Sequence, residues 1–301
     1  MSPSKQDVVE PALVSIVMPS LNQDKYIGAA IDSILAQDYA NVELVVADGG
    51  STDQTLGILS DYSSRDARLR WSSRPDNGPA QALNIALAQV RGTIIGWLNS
   101  DDLYTPGAIR RAVDELHKDP RLLMVYGQAE HVDKQGETLG LYPTLMPATP
   151  VEKFKEGCFI CQPSMFFRRT VRVLLGNLDE TLKASFDFDY WLRAFLAFQD
   201  RIGFVDVVQA KSRLHDDCIT LRMRRSVALE GMEILSRHLG SAPKEWFLTY
   251  VDELLLEGET SELGTARREH LVETATLAAK WLSPDEKNDM EAELLRRLNG
   301  N

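Results

Sequence analysis

The chain of 301 residues has little cysteine, fewer basic than acidic side chains, and no long apolar run. Each shortage excludes something. Three cysteines, Cys158, Cys161 and Cys218, do not make a disulfide framework. Cys158 and Cys161 have CxxC spacing, but a second pair is absent, and Cys218 with His215 would complete the set only irregularly. They read as small, partly buried side chains rather than a zinc site. The net charge is −11, and no basic tract is present to neutralise phosphates, which argues against nucleic acid as a partner. No apolar stretch reaches the ~18 residues of a bilayer span, so no transmembrane span is expected. The N-terminal MSPSKQDVVEPA lacks the basic-then-apolar pattern of a signal peptide, which makes cytoplasmic the default location.

What the sequence does have is alternation. LVSIVMP (13–19), VELVVAD (42–48), LRWSS (69–73) and TIIGWLN (93–99) read as short strands. Helical patterns lie between and after them, at 24–37, 51–64, 78–92 and 105–120; Thr105 caps the last and Pro106 takes its first position. Strands alternating with helices predict a doubly wound, mostly parallel α/β sheet flanked by helices, with ligands at the carboxyl ends of the strands. Residues 122–141 look like two strands joined by the turn DKQG, 142–165 are irregular, 170–200 carry helical signals, and 201–215 run as a strand into a loop. The last eighty residues are helical. Trp246, Tyr250 and Leu254 form one apolar stripe and Leu271, Ala275 and Leu282 another, and Ser283-Pro284-Asp285-Glu286 has the makings of a capping box. Such stripes suit packing on the main domain, on each other, on a second copy as a homodimer, or on a membrane surface as a peripheral contact.

Four polar clusters fall at or just past the strand ends: PSLNQDKY (19–26), ADGGSTD (47–53), SSRPDNGPAQALN (72–84) and NSDD (99–102). A doubly wound sheet delivers all four to one edge. Asp48, followed by two glycines, can accept from a base N–H or a ribose hydroxyl, or can cap the next helix. Asn77-Gly78 is a turn signal, and the helix after it offers free N–H groups to an anion. Arg74 just before it can face a phosphate or solvent. Asp101 and Asp102 are the strongest signal. Adjacent acids after a buried strand repel, and a shared Mg²⁺ or Mn²⁺ with a diphosphate would relieve that; the bland alternative is a helix-capping pair.

In this order, PSLN, VELVVADGGSTD, NGPAQALN and GWLNSDDLY resemble the inverting family 2 glycosyltransferases of the GT-A fold, over roughly residues 12–220. The resemblance implies a catalytic domain at 1–220 and a C-terminal helical extension at 221–301. It implies that Pro19, Ser20 and Asn22 line a nucleotide pocket, that Asp48 holds the base, that Arg74 and Asp76 lie near base or diphosphate, that Asp101 faces the ribose and sugar, and that Asp102 meets the metal. The family's metal motif has two acids flanking one residue; here the first position is Asn99, leaving Asp101 and Asp102 to do the work. FDFDYWLR resembles the segment carrying the catalytic base, an acid six residues before an arginine, which makes Asp187 the base and Asp189 the runner-up. SRLHDDCIT resembles a loop whose histidine reaches metal or diphosphate, matching His215, with Arg213 assisting. Within FICQPSMFFRR, on the acceptor side, Gln162 can hydrogen-bond an acceptor. Phe186 and Trp191 can stack on a sugar, although Trp191 also has core spacing.

The implied activity is transfer of a sugar from a nucleoside diphosphate donor, UDP by family frequency, to a hydroxyl of a sugar, lipid-linked or protein acceptor, with Mn²⁺ or Mg²⁺, in polysaccharide or glycoconjugate assembly. Two alternatives stand beside it. A sugar nucleotidyltransferase would want a Gly-rich, basic loop after the first strand, and PSLNQDKY has none. A catalytically silent binding or scaffold protein on the same fold draws its support from Asn99 alone.

Overall fold

The computed structural model describes residues 11–256 and 265–299. They divide into two compact units that interleave along the chain. The first holds the chain up to Pro147 together with Ile160–Asn177 and Asp200–Arg213; the second holds Ala148–Phe159, Leu178–Gln199 and the chain from Leu214 on. The segment with FDFDYWLR groups with the C-terminal helices.

The first unit opens with the expected alternation: β1 (Val14–Ser20), α1 (Ile27–Leu35), β2 (Val42–Asp48), α2 (Thr55–Arg65), β3 (Leu69–Ser73), α3 (Pro79–Leu87) and β4 (Ile94–Trp97). It continues through β5 (Leu103–Tyr104), α4 (Ala108–Lys118), β6 (Met124–Val132), β7 (Thr138–Leu141), β8 (Phe166–Arg168), α5 (Thr170–Leu175) and β9 (Ile202–Arg213). The sheet order is β3-β2-β1-β4-β8-β6-β9-β5, with β7 added on β6. β1, β2, β3 and β4 are parallel, and so are β6 and β9, while β8 runs against both β4 and β6. Every residue of β1 and β2 is buried, mostly apolar as strands covered on both faces require, with Ser15 and Glu43 bonded to each other inside them. The core under them is built from Ile16, Met18, Ile31, Ile34, Leu44 and their neighbours.

One local expectation is corrected. Thr105 does not cap α4. Its hydroxyl donates to the carbonyl of Val208, 2.6 Å away in β9, and the helix starts three residues later, after Gly107 at φ 78°. The pairing of β5 with β9 explains the difference, because residues 103–105 are claimed by the sheet before a helix can begin.

The second unit is helical: α6 (Phe186–Phe198), α7 (Ile219–Arg222), α8 (Arg224–Leu239), α9 (Glu245–Leu256), α10 (Thr265–Ala278) and α11 (Pro284–Asn299). Its interior is aromatic. Phe154 meets Phe159, Phe188 and Phe195 at ring-centre distances of 4.4, 5.7 and 5.1 Å, and Phe188 meets Trp246 at 5.1 Å. Trp246 lies so close to α8 that a Cβ on Gly231 would fall 2.2 Å from its ring. At the start of α11, Ser283 does cap, accepting from the Glu286 amide at 3.3 Å, but the Glu286 carboxylate accepts from the Lys244 amide instead of closing the box. No helix among the described residues is long and apolar enough to cross a membrane.

Candidate active site

In the first unit the parallel strands end in loops that tie to one another. The Gly49 amide donates to the carbonyl of Ser20 at 2.8 Å, joining the ends of β1 and β2. Asn22, at φ 53°, accepts from the Thr52 amide at 2.8 Å, and the Asn22 amide donates to the Ser51 hydroxyl at 2.7 Å. An asparagine tolerates that backbone better than most residues, which gives the N of PSLN a structural reason. Pro19 is buried within β1 and pairs in register with Ala47. The Ser20 hydroxyl is buried with no protein partner.

Asp48 is spent on its own loop. Its carboxylate is 2% exposed and accepts from the Gly50 and Ser51 amides at 3.0 and 2.9 Å and from the Ser51 and Ser73 hydroxyls. In this structure Asp48 shapes its own turn, with three of these bonds on Oδ2 and one on Oδ1. Asp76 takes the position over Gly49: a Cβ there would sit 2.8 Å from Asp76 Oδ2, so only glycine lets the two loops approach. The other oxygen of Asp76 accepts from the Gly78 amide at 2.8 Å, ahead of α3. Arg74 is exposed, with its amide on the Asp48 carbonyl at 3.0 Å.

The NSDD turn after β4 is organised differently from a helix start. Asp102 is 3% exposed, and its Oδ1 accepts from the Arg213 amide at 2.8 Å. The chain passes from this turn into β5, so the acid pair caps no helix. Trp97 Nε1–H donates to Asn99 Oδ1 at 3.0 Å, which turns the amide nitrogen of Asn99 toward Asp102 Oδ2 at 3.4 Å. Asn99 thus joins an indole donor to a carboxylate acceptor, a task for an amide and not for a second acid. The Arg213 guanidinium donates to the carbonyls of Asp101 at 2.9 Å and Asp133 at 3.0 Å and lies over the Tyr26 ring. It is the positive charge beside the two acids. Even so, burial, and then the charge of Asp101, hold the Asp102 carboxyl well above its usual range, against the Arg213 amide and charge and the Asn99 amide. Gln162, 8% exposed, donates to the Trp97 carbonyl at 2.7 Å, so its amide nitrogen is committed to the end of β4.

The second unit carries the two acids of FDFDYWLR in unlike settings. Asp189 is 2% exposed, between Arg193 Nε at 2.8 Å and His238 Nε2 at 3.0 Å, and serves as an ion-pair anchor. Asp187 is half-buried in the first turn of α6, and its Oδ1 accepts from the Phe188 amide at 2.8 Å. Desolvation pushes its carboxyl up to about 6, the amides of Phe188 and Asp187 pull the other way, and the charge of Glu230 adds to the rise. Trp191 is 0% exposed, so its ring faces the interior and presents no face to an acceptor; its helical spacing marked core. Phe186 is 5% exposed. His215, 7% exposed, lies at the start of the second unit's last segment, two residues after Arg213. Among the described residues no three His, Cys, Asp or Glu side chains gather as a metal site.

Residues 15–174 match the family model described as Glycosyl transferase family 2. The chain belongs to this family. An uncharacterized glycosyltransferase of Rickettsia typhi is 32% identical to the transferase over 229 residues, covering 70% of this chain and 67% of that protein. A chondroitin synthase of Escherichia coli is 33% identical over 181 residues, 60% of this chain and 26% of the synthase. The chain thus spans about two thirds of the first relative and about a quarter of the synthase. By structure, the transferase resembles S. aureus TarS (residues 1–349) in complex with UDP-GlcNAc, with a TM-score of 0.61 at 17% identity over 95% of this chain and 89% of that one. It also resembles a mannosyltransferase of Pyrobaculum calidifontis in complex with GDP-Man and Mn²⁺, with a TM-score of 0.60 at 18% identity over 97% and 88%. These likenesses establish the GT-A fold. Ser51 and Ser73 lie in the polar clusters at 47–53 and 72–84, but nothing in the sequence says that both would bind Asp48.

Proposed function

We propose that this glycosyltransferase moves a sugar, with inversion, from a nucleoside diphosphate donor, UDP-linked, to an acceptor hydroxyl in polysaccharide or glycoconjugate assembly, and that Asp187 is the general base. The observation that carries the reading is the contrast between Asp187 and Asp189. Asp189 is held by the Arg193 guanidinium and the His238 ring, while Asp187 is half-buried with its carboxyl raised to about 6. A general base works best with a pKa near the working pH.

The acceptor oxygen attacks the anomeric carbon as the bond to the diphosphate oxygen breaks. The electron pair leaves with the nucleoside diphosphate, and Asp187 takes the hydroxyl proton. One displacement inverts the centre, so no carboxylate nucleophile is needed. In the donor pocket the buried Ser20 hydroxyl, Asn22 and the Asp76 carboxylate are the polar groups for base and ribose, with Asp48 holding their loop in shape. Asp101 serves the donor's ribose and sugar, Arg74 the diphosphate, and Gln162 the acceptor side through its remaining amide oxygen.

Mn²⁺ or Mg²⁺ would be held by Asp102, with His215 as the resemblance has it. The fit rests on hard oxygen donors and on a buried carboxylate beside a second acid, a setting that a cation relieves. Such a cation supplies charge stabilisation to the departing diphosphate. The catalytic apparatus is assigned to residues 1–220 and a supporting extension to 221–301, without a membrane span among the described residues.

The test is incubation of the protein with UDP-, GDP- and dTDP-sugars and Mn²⁺, reading nucleotide release and the anomer of the released or transferred sugar by NMR. The expected result is release from one donor class, with inverted product, lost in Asp187→Asn. Retained configuration, or an unimpaired Asp187→Asn, overturns the reading.

A further inference from the structure

Glu230 lies in the middle of α8, in the sequence LEGMEIL, where nothing in the pattern singles it out. In the structure its carboxylate receives three consecutive backbone amides. Lys183 N–H donates to Oε1 at 2.8 Å, and Ala184 and Ser185 N–H donate to Oε2, each at 2.9 Å. Ser185 is the N-cap of α6, and its own hydroxyl makes no capping bond; it points to the Val227 carbonyl of α8 at 3.4 Å. A carboxylate on another helix thus gathers the amides of the two residues that lead into α6 and of its N-cap, and fixes how the chain enters the helix. Asp187 is the second residue of that helix.

We propose that Glu230 is a positioning residue for Asp187: it fixes the segment 183–185 that leads into α6, and it sets its negative charge beside the carboxylate that takes the acceptor proton. The inference deepens the reading of Asp187 as the base and rests on it. It also gives the C-terminal helices a task, because α8 then braces the catalytic turn. A second brace lies one helical turn on, where His238 of α8 and Arg193 hold Asp189. The other charged groups on elements packed against α6 are engaged elsewhere. Lys153 and Glu156 pair together, Lys155 reaches Ser241, Arg224 and Arg225 take Glu253 and Glu273, and Arg237 takes Asp179 and Glu233, while Glu152 is exposed. Among the described residues Glu230 is the charge whose field raises Asp187.

The experiment compares wild type, Asp187→Asn, Glu230→Gln and Glu230→Ala. It reads nucleotide binding by calorimetry, thermal unfolding, and kcat and KM against pH. Glu230→Gln keeps one acceptor oxygen and removes the charge. Its acidic limb is expected to move to lower pH by roughly half a unit, the direction that loss of a neighbouring like charge imposes. Glu230→Ala is expected to lower kcat by roughly tenfold or more through a loosened base, with nucleotide affinity unchanged. If Asp187→Asn is inactive while both Glu230 variants fold, bind nucleotide and keep the wild-type limb and kcat, the inference about Glu230 is wrong and the base stands. If Asp187→Asn keeps its activity, the reading of the base is what fails. Should Glu230→Ala not fold, the limb of Glu230→Gln decides alone.

Discussion

The backbone amide of Arg213 donates to Oδ1 of Asp102 at 2.8 Å, across 111 residues of sequence. The last residue of β9 thereby holds the acid at the end of β4, and the Arg213 side chain binds the Asp101 carbonyl beside it. The turn that carries both acids is therefore set by a strand that arrives late in the chain.

Replacing Arg213 tests this directly. Arg213→Ala keeps the amide bond but removes the guanidinium from the carbonyls of Asp101 and Asp133 and from the Tyr26 ring. A loss of about 2–4 kcal/mol in unfolding free energy is expected. Denaturant unfolding checks it, and a loss below ~0.5 kcal/mol would contradict the role given to this side chain.

Asn99→Asp replaces the amide that joins Trp97 to Asp102 with an acid whose second oxygen opposes the Asp102 carboxylate. Without metal the variant is expected to be less stable by about 1–2 kcal/mol, because two carboxylates then face each other in a mostly buried turn. Its affinity for Mn²⁺ in the absence of nucleotide is expected to rise by roughly tenfold, since an extra anionic oxygen is offered. Thermal unfolding with and without Mn²⁺ reads both effects. A variant equal to wild type in both conditions removes the reason given for asparagine here.

Asp187, the proposed base, links pH to stability with a definite sign. Its carboxyl is raised in the folded protein to about 6, so the folded state resists ionising it. The destabilisation is absent below the unfolded value near 4, grows between the two, and is complete above about 6. Asp187→Asn is therefore expected to unfold at higher temperature than wild type at pH 8 and at the same temperature at pH 4, while losing transfer. Calorimetric scans at the two pH values check this; a variant less stable at pH 8 would contradict the burial argument.

Glu43 shows the opposite sign. It is 2% exposed, and burial alone would raise it, but bonds from the Ser15 hydroxyl, the Arg91 amide and the Arg70 and Arg91 guanidinium groups outweigh that and pull it down to about 2. The stabilisation is full above the unfolded value near 4.5 and is lost as pH falls through about 2. Its size is about 3 kcal/mol. Glu43→Gln should accordingly be less stable than wild type at pH 7, with the gap closing toward pH 2; a pH-independent gap would contradict the ionised network.

Much of the fold was legible because buried strands are short and rich in apolar and β-branched residues between turn signals, and β2 and β3 fall on the segments VELVVAD and LRWSS. The polar clusters at the strand ends were legible for the same reason, since each interrupts such a run. What could not be seen were choices made by distant partners. Thr105 reads as a cap until β9 takes its hydroxyl. That Asp48 also ties its own turn to Ser73 of β3 depends on a residue 25 positions away. Trp191 offers either a sugar platform or a core side chain at the same helical spacing, and only burial separates them. Glu230 is an ordinary helix acid until the amides of 183–185 arrive at it.

The most direct test of the donor site is calorimetric titration of UDP, GDP and dTDP, with and without Mn²⁺, on wild type and Asp102→Ala. The expected result is Mn²⁺-dependent binding of one nucleotide, UDP, that Asp102→Ala abolishes while remaining folded. A folded wild type that binds no nucleotide under either condition, or an Asp102→Ala variant that binds as wild type does, would contradict the assignment of the acid pair to the donor and its metal.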